Sequence, residues 1–207
     1  MKPPQVVVFD LGKVLVDFDY SIAARRIAAR STSGIIPTRL FADHAPLLIR
    51  YELGLVTTRA FLEQMLAATG FNGTADEFGD SFADIFTPIQ PMVELHAALR
   101  RNGFRTFIFS NTNELAVRHI RKRFPFFTQF NGYIYSYEHG AMKPDRQLYE
   151  AVERQTKHRG QEILYVDDRP ENVEAGAARG WHVVLQESPE KTRLAVRKLG
   201  LPDQLEP

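Results

Sequence analysis

The chain has 207 residues, 44% of them apolar and 25% charged, and a formal net charge of +1. Such a chain can bury one sizeable core, or a core with a smaller inserted domain, and its near-zero charge gives no electrostatic reason to expect nucleic acid or an anionic membrane as a partner. It contains no cysteine, which excludes disulfides, thiolate metal sites and cysteine nucleophiles and is compatible with a reducing compartment.

The first β-rich run spans Gln5 to Phe9 and ends on Asp10. A strand starting there leaves no room for a signal peptide, and no apolar stretch approaches the roughly 20 residues that cross a bilayer. A soluble cytoplasmic protein is therefore expected. From about Asp17 to Pro88 the pattern is helical, with no convincing strand. Phe61, Leu62, Met65 and Leu66 form one apolar stripe; Thr74-x-x-Glu77 is a capping box opening a second helix, whose stripe is Phe78, Phe82, Ile85 and Phe86. Residues 17–88 are expected to be a helical cap inserted into a core made of 1–16 and 89–207. An insert placed directly after the first strand sits above that strand's end, where it can cover a site.

Four more runs follow: Arg105 to Phe109, Gly132 to Tyr135, Ile163 to Val166 and His182 to Leu185. They are continuous rather than alternating, as befits strands buried on both faces. Helical patterns separate them. Met92, Leu95 and Leu99 share a face after Pro91, and Asn113 can cap a helix through Phe124. In that helix Val117, Ile120 and Phe124 face inward, leaving Arg118, Arg121, Lys122 and Arg123 on a solvated face. Asp145 can cap a helix carrying Leu148, Tyr149 and Val152; Pro170 fits the first turn of another, with Val173 and Ala177 facing inward and Gly180 ending it. This alternation predicts right-handed crossovers and a doubly wound parallel α/β sheet, Rossmann-like, with ligand bound at its carboxyl edge. His96 is expected to pack or to lie at the surface, and His44 and His139 to be exposed. Trp181 should pack in the core, and the tail after Gly200 should be loosely held.

Four of these segments end in polar groups: Asp10, Ser110-Asn111, Lys143-Pro144 and Asp167-Asp168. Each has an ordinary explanation as a turn residue, a helix cap or a surface lysine. Together they suggest one phosphate and metal site. Acids from two strands would raise one another's pKa unless a cation or a lysine compensates, which argues for bound Mg²⁺. A carboxylate nucleophile and a phosphate repel each other for the same reason. Proline after Lys143 keeps the lysine on an extended segment, while Ser110 and nearby backbone N–H groups end a strand just before a helix, where anions bind. No GxxxxGK[ST] or GxGxxG loop occurs.

Strand with Asp, helical insert, strand with Ser, Lys-Pro, then strand with Asp-Asp: this order resembles the haloacid dehalogenase-like hydrolases over nearly the whole chain. Phe9-Asp10-Leu-Gly-Lys-Val-Leu-Val-Asp17, with Tyr51-Glu-Leu-Gly54 and Thr57 through Phe61, is similar to the branch that includes glucose-1-phosphate phosphatase. The resemblance implies an aspartyl-phosphate on Asp10, Mg²⁺ bound by Asp10, the Gly12 carbonyl and Asp168 with support from Asp167, and phosphate contacts from Ser110, Asn111 and Lys143. The expected substrate is a small-molecule phosphate ester, with a sugar phosphate as the leading candidate. One departure matters: most phosphatases of the superfamily carry a second Asp two residues after the nucleophile, and here that residue is Gly12. A general acid/base contributes about 10²–10⁴-fold in rate, so a slow phosphatase is expected unless Lys13, Asp17 or a side chain of the insert takes its place. Which of Lys13, His44, Arg50, Tyr51 and Glu52 points inward is open, as is the oligomeric state. Two other readings compete: a noncatalytic or weakly active regulatory protein on the same scaffold, and a 2-haloacid dehalogenase, in which Asp10 would attack carbon without a cation.

Overall fold

The computed structural model describes residues 3–203. Its strands are, in chain order, β1 (Val6–Phe9), β2 (Val16–Phe18), β3 (Phe86–Pro88), β4 (Arg105–Ser110), β5 (Gly132–Tyr135), β6 (Ile163–Asp167) and β7 (His182–Leu185). Its α-helices are α1 (Tyr20–Ala28), α2 (Leu40–Asp43), α3 (Ala45–Glu52), α4 (Thr58–Thr69), α5 (Ala75–Ala83), α6 (Gln90–Arg101), α7 (Glu114–Arg123), α8 (Ser136–His139), α9 (Arg146–Thr156), α10 (Pro170–Ala177) and α11 (Pro189–Lys198).

The apolar runs are continuous because both faces of the sheet are covered. Val7, Phe9, Ile108, Leu164 and Val166 enter one core, while Val6, Val8, Phe107, Phe109, Ile163 and Tyr165 enter the other. The sheet is parallel, in the order β5-β4-β1-β6-β7, the doubly wound Rossmann-like arrangement. β1 is therefore central, and the chain leaves it first toward β4 and later toward β6. The crevice where the winding reverses lies at the carboxyl end of β1.

Between β1 and β4 the chain builds a third apolar cluster from Ala23, Ile27, Tyr51, Phe61, Met65, Phe78 and Phe82, with Leu115 of α7 joining it. The Thr74–Glu77 capping box forms as expected. The expectation of no strand in this stretch does not hold. β2 and β3 pair antiparallel, Val16 opposite Pro88 and Phe18 opposite Phe86, and so tie the two ends of the insert together. Three-residue strands are too short to show a period in sequence.

Asn113, Asp145 and Thr74 cap their helices as predicted, and Trp181 is buried against Tyr149 and Tyr165. Three smaller expectations are corrected. The tail is anchored through residue 203, with Leu201 buried and Asp203 accepting from Arg197; residues 204–207 lie outside the described residues. His44 and His139 are half-buried, the former bonded to the Leu40 carbonyl at 2.7 Å. On α10 the buried residues are Asn172 and Gly176 rather than Val173 and Ala177, because the Asn172 amide is drawn to Asp167. No helix among the described residues is long and apolar enough to cross a membrane.

His96 is fully buried, stacked on Phe130 at 3.8 Å and bonded through Nε2 to Thr106 at 3.0 Å. Burial, with Arg100 adding to the effect, pushes its pKa down to about 3. Because the folded protein holds this imidazole neutral and the unfolded chain protonates it below about 6.5, stability falls as pH drops from about 6.5 toward 3. The slope from this residue is at most ~1.4 kcal/mol per pH unit. Urea melts across that range should show this decline, and His96→Phe should flatten it.

Candidate active site at the carboxyl edge of the sheet

Sheet register gathers the acids. Phe9 lies opposite Val166, so the next residues, Asp10 and Asp167, leave the sheet side by side; the Asp10 amide also donates to the Val166 carbonyl at 2.9 Å. Asp168 follows at the start of the loop to α10. Carboxylate oxygens of Asp10, Asp167 and Asp168 all fall within 4.8 Å of one another. Ser110 ends the neighbouring strand β4 and is buried.

Lys143 enters from the loop between α8 and α9. Its ammonium donates to Asp10 Oδ1 at 2.8 Å, Asp167 Oδ2 at 2.6 Å and the Phe109 carbonyl at 2.9 Å, which engages all three of its donors. The loop is itself held by Asn111. Asn111 Oδ1 accepts from the Lys143 amide at 2.7 Å, and Asn111 Nδ2 donates to the Lys143 carbonyl at 3.1 Å. Its side chain therefore positions the lysine. The Lys143–Pro144 peptide is cis.

Asp167 is fully buried and saturated. Oδ2 accepts from Lys143 and from the Tyr165 hydroxyl, while Oδ1 accepts from the Arg169 amide at 2.8 Å and from Asn172 Nδ2 at 3.0 Å. Burial works against its charge, but the Lys143 ammonium and these hydrogen bonds hold its carboxyl below the ordinary range. Burial likewise opposes the charge on Lys143, and Asp10 and Asp167 together outweigh it and raise its pKa. Asp10 is different. Burial, opposed by Lys143 and reinforced by Asp167, pushes its carboxyl up to about 7. Asp168 is also raised, by burial first and then by Asp167, and has no ion-pair partner among the described residues.

Three carboxylates on one ammonium leave two negative charges in excess when all are ionised. That excess adds to the burial that raises Asp10 and Asp168, and a divalent cation offsets it. Because the donors are all oxygens on one side of a pocket, they suit a hard ion such as Mg²⁺. The residues present thus fit the metal expected from sequence.

Asp10 and Asp168 open into a cavity of about 230 Å³ whose sheet-side lining also includes Gly12, Ser110, Asn111 and Lys143. Its other lining residues include Lys13, Phe18, Tyr20, Glu52 and Phe86. Of the five side chains left open by sequence, Lys13 and Glu52 border this cavity; His44, Arg50 and Tyr51 do not. Residues that the sequence left unnoticed are Tyr165 and Asn172, both bonded to Asp167, and the aromatic wall of Phe18, Tyr20 and Phe86. An asparagine in the first turn after an acid pair was the signal available for Asn172. A larger groove of about 900 Å³ lies between α5 and α7, bordered by Asp80, Asp84, Arg118 and His119, and contains none of the acids.

A Cβ at Gly12 would stand 2.7 Å from the Phe18 ring, which is itself packed edge-on to Tyr20 and Phe86. Phe18 thus occupies the space that a side chain at position 12 would need. Gly12→Asp should destabilise the fold by about 1–3 kcal/mol through overpacking and should not raise activity; chemical melts and turnover measured on the same preparation check both. Lys143→Met leaves two buried carboxylates without their counter-ion and should cost about 3–5 kcal/mol of stability, measured by the same melts.

Comparison with known proteins agrees with this geometry. The model of the haloacid dehalogenase-like hydrolases matches residues 4–180. The sesquiterpene phosphatase astK of Aspergillus oryzae is 24% identical over 179 residues, which are 85% of this chain and 86% of that protein. The HAD family enzyme bt-2542 of Bacteroides thetaiotaomicron superposes with a TM-score of 0.78 at 20% identity, covering 89% of this chain and 94% of that one; it has also been solved in complex with magnesium and inorganic phosphate. The L-2-haloacid dehalogenase of Xanthobacter autotrophicus, with chloropropionic acid covalently bound, superposes with a TM-score of 0.62 at 17% identity over 94% of this chain and 83% of that one. By the span of the family match and the sheet order that accompanies it, this chain belongs to the haloacid dehalogenase-like hydrolases.

Proposed function

We propose that the protein is a Mg²⁺-dependent phosphatase of small phosphate monoesters that works through an aspartyl-phosphate on Asp10. The observation that carries this reading is the excess negative charge of Asp10, Asp167 and Asp168 around one lysine, open to a pocket. Asp10, the Gly12 carbonyl and Asp168 would hold the ion, with Asp167, whose acceptors are already filled, supporting them from behind. Bound there, Mg²⁺ supplies charge neutralisation for the phosphate and the attacking carboxylate.

Asp10 Oδ1 is fixed by Lys143, which aims the carboxylate and leaves its other oxygen for attack on phosphorus. Ser110 Oγ has only a long 3.4 Å contact with the Asn111 carbonyl and is available to bind a phosphate oxygen, together with backbone N–H groups of the Ser110–Asn111 turn. Lys143 would reach the phosphate only by exchanging one of its present partners. The helical insert acts as a cap that covers the site and excludes water from Asp10.

A small cavity agrees with a small leaving group, and the glucose-1-phosphate phosphatase resemblance points to a sugar phosphate. A second substrate reading rests on the wall of Phe18, Tyr20 and Phe86, which offers aromatic surface to an apolar alcohol, and on the likeness to a sesquiterpene phosphatase. Phosphate release from hexose phosphates and from prenyl monophosphates separates the two. The dehalogenase alternative is disfavoured because displacing halide from carbon has no use for a cation site. A regulatory protein without turnover has no use for a concentration of charge this costly to bury.

Asp10→Asn should abolish Mg²⁺-dependent phosphate release across such a panel; undiminished turnover would overturn the nucleophile assignment. Asp168→Asn should weaken Mg²⁺ binding measured by calorimetry at least tenfold, or about 1.4 kcal/mol, while leaving the fold intact.

A further inference from the structure

Gly12 leaves the reaction proposed above without a proton donor for the departing alkoxide. Two substitutes suggested by sequence do not serve. Asp17 is exposed and ion-paired to Lys13, and the hydrogen bond from Lys13 holds its carboxyl below the ordinary range, so it carries no proton to give. Lys13 borders the cavity but is engaged with Asp17 and with the Phe18 carbonyl at 3.1 Å.

Glu52, the last residue of α3, is the carboxyl group that the insert presents to the cavity. It is half-buried and has no hydrogen bond or ion pair with another described residue. Burial alone pushes its carboxyl up to about 7, and its charge is close enough to affect the half-buried Tyr20 hydroxyl. The segment carrying it is pinned to the core on both sides. The preceding Tyr51 hydroxyl accepts from the Leu115 amide of α7 at 3.1 Å and bonds Thr58 Oγ1 at 2.9 Å, while Thr58 bonds Glu114. Two residues after Glu52, Gly54 has φ +68°, and a Cβ there would stand 2.0 Å from the Tyr137 carbonyl; only glycine allows the turn to lie against α8 this closely.

We propose that Glu52 is the acid/base of the reaction, an inference that rests on the phosphatase reading and names the group it lacks. Asp10 attacks phosphorus, the P–O ester bond breaks with its electron pair staying on the ester oxygen, and the Glu52 carboxyl gives that oxygen its proton, releasing the alcohol. A water molecule then attacks the phosphorus of the aspartyl-phosphate. Glu52, now a carboxylate, takes the proton of the water, and the Asp10–phosphorus bond breaks to free phosphate and restore Asp10. Leaving oxygen and attacking water both stand opposite Asp10 at phosphorus. One group across the cavity from the sheet edge can therefore serve both steps.

The test uses the intact protein with Mg²⁺ and two kinds of substrate: 4-nitrophenyl phosphate, whose leaving group needs no proton, and whichever hexose or prenyl monophosphate the wild type hydrolyses fastest. In Glu52→Gln, alkyl ester hydrolysis should fall ~10²–10⁴-fold. The aryl ester should instead give a burst of one equivalent of nitrophenolate at close to the wild-type rate, followed by slow turnover. The phosphorylated protein should accumulate and be visible by mass spectrometry after acid quenching. Glu52→Asp, which keeps a carboxyl, should recover part of the alkyl ester activity. Unchanged alkyl hydrolysis without phosphoenzyme, or equal loss of the aryl burst and the alkyl rate in both variants, would overturn the assignment. A wild type inert toward every ester would instead overturn the phosphatase reading itself, and this inference with it.

Discussion

Everything at the sheet edge is organised by one lysine ammonium that faces more negative charge than it can balance. Lys143 is buried, satisfied by Asp10, Asp167 and the Phe109 carbonyl, and cannot be withdrawn without stranding two desolvated carboxylates. Around it the division of labour is set by hydrogen-bond supply. Asp167 receives four donors that offset its burial and stays ionised, while burial, less fully offset, pushes Asp10 and Asp168 toward protonation. The under-supplied pair faces the cavity. The fold thus keeps an excess of negative charge at its centre, beside the cavity.

The core was legible in sequence because buried parallel strands are written as unbroken apolar runs. The runs ending at Phe9, Phe109, Tyr135, Val166 and Leu185 emerge as the sheet, with edges differing by a residue. Asp10, Ser110, Lys143 and the acid pair were legible as a group because each interrupts such a run or follows a turn at a strand's end. What escaped was decided by contacts between distant segments. β2 and β3 exist because the two ends of the insert meet, a fact of closure with no local signature. The rotation of α10, which buries Asn172 instead of Val173, is dictated by the demand of Asp167 for a donor and overrides the apolar pattern.

Asn111 illustrates a subtler limit. Its place after Ser110 suggested a phosphate ligand, and it does line the cavity, but its amide is paired in both directions with the backbone of Lys143. A residue on a cavity wall can act by holding its neighbour in place. Sequence reports proximity along the chain and says nothing of which partner a forked amide will choose.

The phenol of Tyr51 has a consequence for any exchange of the insert. By accepting from the Leu115 amide it completes, from outside, the first turn of the helix that starts just past Ser110. The insert and the catalytic scaffold are therefore not independent modules joined by two hinges; one supplies a structural part of the other. A foreign insert grafted onto this core would have to bring an equivalent acceptor to that helix start, or leave the Leu115 amide unpaired.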